Sequence, residues 1–500
     1  MAQTIDADVC IVGAGIAGLF AACSLPPGTS IAVVDKGVEG EGSSPLAQGG
    51  LAAAVDPGDS WELHLKDTIS AGAGLVDERA AEIVCREAPG AVEALIDLGC
   101  DFDRLPDGSL HLAREGGQSV PRSVHRADAT GAEIVRVLRD AARSRVNRVA
   151  GYAFRLATHD GECRGVWAAG PEGVILIRAD HTLLAAGGAG ALFASTTNNP
   201  ASTGDGIALA ERDGVRLTDL EFVQFHPTAL AVDESPRPLL TEALRGAGAV
   251  LVDAKGERIM AGSLDDTELA PRHVVTAAIL AAGETYLDAR AIGEKRLIQE
   301  FPTVVSSCRS RGFDPATQLI PVAPAAHYLI GGIETDLDGR ASLPGLFAGG
   351  ECAATGVHGA NRLAGNSLSE SVVFARRAAG AMADERAARR RGDPEWEPPR
   401  EASDEARSHD IRPEIIEAVT LGAGPIRDAL SAREALARIE KLREVAGESV
   451  NRSSAGTRAM LTAGALLVRA ALAREETRGV HVRSDFPETD PALDGVHYTY

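Results

Sequence analysis

A chain of 500 residues is too long for one simple core, so two or three packed units are expected. Its net charge of -21, from 50 basic and 71 acidic residues, excludes nucleic acid as a partner, because phosphate neutralisation needs clustered Lys and Arg. Seven scattered cysteines (10, 23, 85, 100, 163, 308 and 352) with no CxxC pair suggest neither a disulfide framework nor a metal centre, so a reduced, cytoplasmic protein without bound metal is expected.

In chain order, the apolar run Val9 to Val12 predicts a strand, Ala14 to Ser24 a helix and Ile31 to Val34 a second buried strand ending at Asp35. Two buried strands around a helix imply a parallel sheet and an α/β, Rossmann-like fold. Amphipathic helices are expected over Ala80 to Leu98 and Gly131 to Arg143, and separate strands over Gly173 to Ile177 and His181 to Ala186. The apolar stretch Leu183 to Ala194 is too short and glycine-broken to span a membrane, and no signal peptide is read before the first strand.

Between Glu221 and Tyr328 turns, short helices and the run FHPTAL interrupt the sheet-forming alternation. A nucleotide domain in two segments (1–220 and 329–395) with an inserted α+β unit (221–328) explains this better than domains in series. Asp384 to Pro413, with DPEWEPPRE, reads as an exposed linker, and beyond it Leu436, Ile439, Leu442 and the run Met460 to Leu472 predict a helical C-terminal unit within 396–500.

GAGIAG, residues 13–18, follows a buried strand and opens a helix, so its glycines bring backbone close to a pyrophosphate at the positive helix N-terminus. Asp35, 22 residues beyond Gly13, stands where a carboxylate accepts from ribose hydroxyls. That fingerprint does not separate NAD from FAD. The small, Gly-rich segment 42–55 suits backbone contact with a flat ring and favours a flavin, and Asp205 and Glu351 lie at turns where they could accept from ribityl or ribose hydroxyls.

With GAGIAG, SSPLAQGG, REGGQS, HRADATG, FHPTAL, TEALRG, ELAPRHVV, PAAHY, GLFAGGE, HGANRLAGNSLSES and RGVHVRSDFP in order along it, the chain resembles the fumarate reductase and succinate dehydrogenase flavoprotein family. The resemblance implies an FAD domain in two segments, a mobile capping domain between them and a helical C-terminal domain. It further implies that Gly13, Ala14, Gly15, Ile16, Ala17, Asp35, Lys36, Ser43, Ser44, Leu46, Ala47, Gln48, Gly49, Gly50, Asp205, Glu351, Asn366, Ser367 and Leu368 hold FAD. The implied substrate set for a four-carbon dicarboxylate is Glu115, His226, Thr241, Arg272, His327 and Arg362, with Arg272, Glu115, His226 and Glu242 in the chemistry.

Two guanidinium groups suit a dicarboxylate because each can hold a carboxylate with parallel hydrogen bonds. Arg272 is a poor acid or base unless a relay, such as Glu242 and Arg245, supports it. The family's branches share these groups, whereas Glu115 stands where the succinate and fumarate enzymes carry Phe. A carboxylate there would pair with an ammonium group, so the resemblance points to the amino-acid oxidising branch: L-aspartate as substrate, oxygen or fumarate as acceptor, and quinolinate synthase as functional partner in NAD biosynthesis. Ser43 occupies the place of the family's flavin-tethering His, which implies non-covalent FAD. Pro45, Leu46, Ala247 and Ile330 depart from the family pattern. A soluble fumarate reductase or succinate dehydrogenase flavoprotein, and a flavin-binding protein without catalysis, remain alternatives.

Overall fold

The computed structural model describes residues 3–37, 42–261, 267–385, 396, 410–446 and 452–500. β1 (Gln3–Val12), α1 (Ile16–Ser24) and β2 (Ile31–Asp35) form the expected unit, with Val9 paired in parallel to Ile31 and Val12 to Val34. β3 (Val146–Ala150) extends the sheet beyond β2. On the far side β4 (Tyr152–His159), β5 (Glu162–Gly170) and β6 (Gly173–Leu184) turn back as antiparallel neighbours, giving the order β3-β2-β1-β6-β5-β4. The sheet is therefore mixed, not purely parallel.

Two expectations are corrected here. β6 is one continuous strand where the sequence predicts two, because Arg178, which breaks the apolar run, pairs with Asp6 of the adjacent strand at 2.6 Å. FHPTAL does not interrupt sheet structure: it lies in β7 (Val223–Leu230). β7 joins β8 (Val250–Asp253), β9 (Thr285–Asp288) and β10 (Ile320–Leu329) in an antiparallel sheet of order β7-β10-β9-β8. β11 (Leu346–Ala348) then returns the chain to the first sheet, parallel to the C-terminal half of β6.

The helices divide between the faces of the first sheet. α1 packs with α2 (Glu78–Asp97), α3 (Thr130–Ala142) and α4 (Asn366–Glu385) over one core, where Ile11, Phe20, Leu95, Leu138 and Phe374 are buried. The opposite face packs against α5 (Arg412–Ala423), α6 (Ala429–Ala446) and α7 (Arg452–Ala473), the helical unit expected near the C-terminus. The 223–329 segment has a third core of its own, with Leu230, Leu287 and Val322 from its sheet and Val275, Ile279, Val304 and Val305 from α8 (Arg272–Ala282) and α9 (Pro302–Arg309). Most of the expected linker lies outside the described residues. No described helix is long and apolar enough to cross a membrane, and all seven cysteines are free thiols.

Where the chain passes into the 223–329 segment it is clamped by residues far along the sequence. Glu221 is held by Arg474 Nε at 2.5 Å, and its carbonyl accepts from Arg427 Nη1. Asp219 N donates to Tyr498 O at 3.0 Å, and Leu217 exchanges two backbone hydrogen bonds with Tyr500. RGVHVRSDFP contributes Arg478, His481 and Arg483 to this buried cluster, so the motif serves the crossing and not the cleft.

Candidate active site

A long cleft runs along the C-terminal edge of the first sheet. It begins at Gly13 to Ala17, Asp35 and Lys36, continues past Ser43 to Ala47 and Asp205, and reaches Glu351, Ser367, Leu368 and His327. Gly13 sits at φ +107°, and a Cβ there would lie 2.2 Å from the Ala185 carbonyl, so β1 and β6 converge only around a glycine. The α1 N-terminus opens into this cleft with no side-chain cap from Gly15, which leaves backbone donors for a phosphate. Asn198 lines the cleft as well, and its buried Oδ1 has no hydrogen-bond partner. The donor set, the carboxylate at the end of β2 and the length of the cleft fit a dinucleotide with a flat ring.

Asp205 meets Lys36 and accepts from Tyr152 Oη and Thr203 Oγ1, both at 2.8 Å, so its carboxylate is already engaged at the cleft wall. Glu351 accepts from Leu329 N at 3.0 Å, and burial raises its carboxyl to about 7. Ser43 Oγ bonds to Ser202 Oγ and accepts from Asn199 N, while Ser44 Oγ accepts from Ile16 N. Gln48, Gly49 and Gly50 line a second cavity with Glu115, outside the long cleft. Asn366 departs from its expected role: its side chain bonds to His64 Nε2 at 2.7 Å and Thr68 Oγ1 at 2.9 Å, away from the cleft.

The residues expected to hold substrate converge beside the cleft. Glu115 is 4% exposed, His226 1%, Thr241 4%, Arg272 7% and Arg362 5%, so these five are enclosed, while His327 is half-buried and lines the cleft. Gly50 N donates to Glu115 Oε1 at 3.2 Å. Burial raises the Glu115 carboxyl above its ordinary range, Glu242 adds to that rise, and Arg272 opposes it. Next to it, a Cβ at Gly116 would lie 1.8 Å from Glu242 Oε1, so a side chain there would displace the Glu242 carboxylate. REGGQS and TEALRG are thus in contact, although Gly116 and Glu242 are 126 residues apart.

Arg272 opens α8 and donates from Nε to Glu242 Oε2 at 2.7 Å. Burial alone would raise the Glu242 carboxyl, but Arg272 and Arg245 hold it below the usual carboxylate range. Arg245 Nη2 lies 3.7 Å from Glu242 Oε1, so Arg272, Glu242 and Arg245 form the expected chain of charges. Thr228 N donates to His226 Nδ1 at 3.2 Å, which puts the ring proton on Nε2. Burial followed by Arg272 drives the His226 pKa far down, and the same two causes act on His327, whose ring lies 5.1 Å from that of His226. Burial and Arg272 thus favour the neutral form of both imidazoles.

Arg362 stacks over the Tyr328 ring at 4.5 Å and donates from Nη1 to Ser367 Oγ at 2.8 Å, while its buried Nε has no partner. Burial, with Arg272 nearby, lowers its pKa to about 10. Sequence reasoning missed Gln224. Its Oε1 accepts from Arg272 Nη1 at 3.0 Å, and its Nε2 donates to the Arg362 carbonyl at 3.0 Å and to Asn361 Oδ1 at 3.1 Å. One amide therefore sets the spacing of the two guanidinium-bearing residues. Its only signal in sequence is its place two residues before His226 on the same strand, hence on the same face.

The chain matches the FAD binding domain family over residues 8–368 and the fumarate reductase flavoprotein C-terminal family over residues 412–494. The L-aspartate oxidase of Streptomyces coelicolor is 44% identical, over 97% of this chain and 90% of that protein. The chain belongs to the L-aspartate oxidase family. The L-aspartate oxidase of Caulobacter vibrioides is likewise 44% identical, over 96% of this chain and 94% of the relative. The quinol fumarate reductase flavoprotein of E. coli superposes with a TM-score of 0.91 at 30% identity, covering 99% of this chain and 94% of that one. The family expected from the motifs is thereby established: the protein is an oxidoreductase, and its cofactor is FAD.

Proposed function

We propose that the enclosed cluster oxidises L-aspartate at its α-carbon to iminoaspartate, the first step of quinolinate and NAD biosynthesis, with quinolinate synthase as the enzyme that consumes the imine. The observation that carries this reading is the buried Glu115 carboxylate set among Arg272, Arg362 and the neutral His226 and His327. FAD bound in the cleft would supply the two-electron acceptor for the α-hydrogen, with oxygen or fumarate as the terminal acceptor. Arg362, braced by Ser367 and Tyr328, fixes one substrate carboxylate, while Arg272 with Thr241 and the Nε2–H of His226 serves the other. Glu115 holds the ammonium group and receives the proton that nitrogen gives up as the C=N bond forms. The 221–328 segment acts as a cap whose closure excludes water and aligns the α-carbon.

Charge supports the choice of substrate. Three guanidiniums (Arg245, Arg272, Arg362) against two carboxylates (Glu115, Glu242) leave one positive charge, which complements the single negative charge of L-aspartate. Protonating Glu115 leaves two, which complements succinate or fumarate. Because the Glu115 carboxyl is raised, kcat/KM for aspartate should increase with pH as that group ionises, with an acid limb above the ordinary carboxylate range. Glu115→Gln should remove that limb and lower aspartate kcat/KM about 100-fold while sparing fumarate reduction.

Two direct measurements test the reading. Anaerobic L-aspartate should bleach the visible flavin band of the purified protein, with succinate giving no change; bleaching by succinate alone would move the assignment to a dicarboxylate dehydrogenase, and bleaching by neither would remove the catalytic reading. Acid or heat denaturation should leave all flavin in the supernatant, since Ser43 offers no imidazole for a covalent link. Yellow colour retained in the pellet after washing would contradict non-covalent FAD.

A further inference from the structure

One carboxylate outside the substrate set joins the two sides of the site. Asp128, in the loop ahead of α3, is buried, and it accepts from Thr303 N at 3.1 Å through Oδ1 and from Val304 N at 2.8 Å through Oδ2. Those N–H groups lie in the first turn of α9, where backbone donors have no partner within the helix and the helix dipole favours a negative charge. Both bonds cross from the part of the chain that carries Gln48 and Glu115 to the part that carries Thr241 and Arg272.

The loop holds that carboxylate in a strained setting. Ala127, the residue before it, has φ +42°, a left-handed conformation that residues with a side chain rarely adopt. Hydrogen bonds fix it there: Ala127 N donates to Asp103 Oδ2 at 2.6 Å, and its carbonyl accepts from His125 Nδ1 at 3.2 Å. Just beyond, Gly131 N donates to Ala47 O at 2.9 Å and Thr130 Oγ1 to Gln48 O at 3.5 Å, which ties the loop to the segment at the ring end of the cleft. A cavity beside Asp128 is lined by Gly50, Glu115, Thr241 and Phe301, so the contact stands at the seam where the two sides of the substrate cluster meet.

We propose that Asp128 is the latch of the cap, a positioning residue that holds α9, and with it the 223–329 segment, closed over the dicarboxylate. The proposal rests on the reading of that segment as a cap. With Glu115, His226, Arg272 and Arg362 all enclosed, a dicarboxylate reaches them when the seam opens, and the Asp128 contact breaks and re-forms in each turnover. Asp128 is outside the residues assigned to substrate and flavin, although it lines a cavity with Glu115 and Thr241, so its loss weakens the closed state for every dicarboxylate alike, in contrast to Glu115.

The test compares Asp128→Ala and Asp128→Asn with the wild-type holoenzyme. Hydrogen exchange in the peptide spanning α9 should quicken at least about 10-fold in Asp128→Ala. In parallel, kcat/KM for L-aspartate and for fumarate should fall by the same factor, about 10- to 100-fold and mainly through KM, with FAD content unchanged. Asp128→Asn, which keeps one carbonyl acceptor, should fall between, and it carries the test if the Ala variant does not fold. Unchanged exchange overturns the contact, whereas faster exchange with unchanged kinetics, or a loss confined to one substrate, overturns the latch. If the wild type itself fails to oxidise aspartate, the assignment of substrate is what fails, and the fumarate and exchange arms still decide the latch.

Discussion

Arg362→Leu should abolish both aspartate oxidation and fumarate reduction, with kcat/KM down by about 1,000-fold or more for each. The substitution removes a guanidinium that is buried, stacked on Tyr328 and braced by Ser367, and whose Nε is left without a protein partner. A buried donor without a partner is costly unless a ligand meets it, and a carboxylate is the ligand this geometry suits. Arg362→Lys should recover only part of the loss, because an ammonium is a point charge that cannot form two parallel bonds. Steady-state rates with both substrates check this, and an unperturbed flavin spectrum would show that the cleft persists. Activity within tenfold of wild type in Arg362→Leu would remove Arg362 from the substrate set.

Arg272→Leu should divide the two reactions. Fumarate reduction requires a proton at carbon, and the Arg272, Glu242 and Arg245 chain is the route the site offers, so that activity should vanish. Aspartate oxidation, for which Glu115 is the proposed proton acceptor, should weaken by about 10- to 100-fold through lost orientation. The variant also leaves Glu242 buried with Arg245 at 3.7 Å as its remaining cationic partner. Removing one member of a buried pair costs about 3–5 kcal/mol of stability, and the double variant Arg272→Leu with Glu242→Leu should recover part of that in a thermal melt. Fumarate turnover unaffected by Arg272→Leu would defeat the relay.

The cofactor cleft was legible because its determinants are local: a strand, GAGIAG, a helix and an acid at the end of the next strand must lie together once the first parallel pair forms. Strands β3 to β5 left little signal, since Val146 to Gly170 mixes Arg, His and acidic residues into short runs. Arg178 split β6 in sequence although an ion pair with Asp6 keeps it whole. The family motif supplied Asn366, but adjacent residues at a helix start face different directions, and only packing showed that Asn366 turns to His64 while Ser367 turns to Arg362. Gln224 escaped notice because an uncharged amide announces nothing until Arg272 and the Arg362 backbone, distant in sequence, are seen on either side of it.

The clamp on the crossing into the inserted segment bears on the order in which the molecule can be finished. Residues 217–221 are held by Arg427, Arg474, Tyr498 and Tyr500, and a ribosome delivers those partners after every residue of the cleft. A nascent chain that already contains GAGIAG, Glu115, Arg272 and Arg362 still lacks the groups that fix how its middle third meets the rest. The middle third is therefore fixed against the rest only once those later residues have been made, and damage confined to residues 474–500 would act on catalysis from outside the cleft.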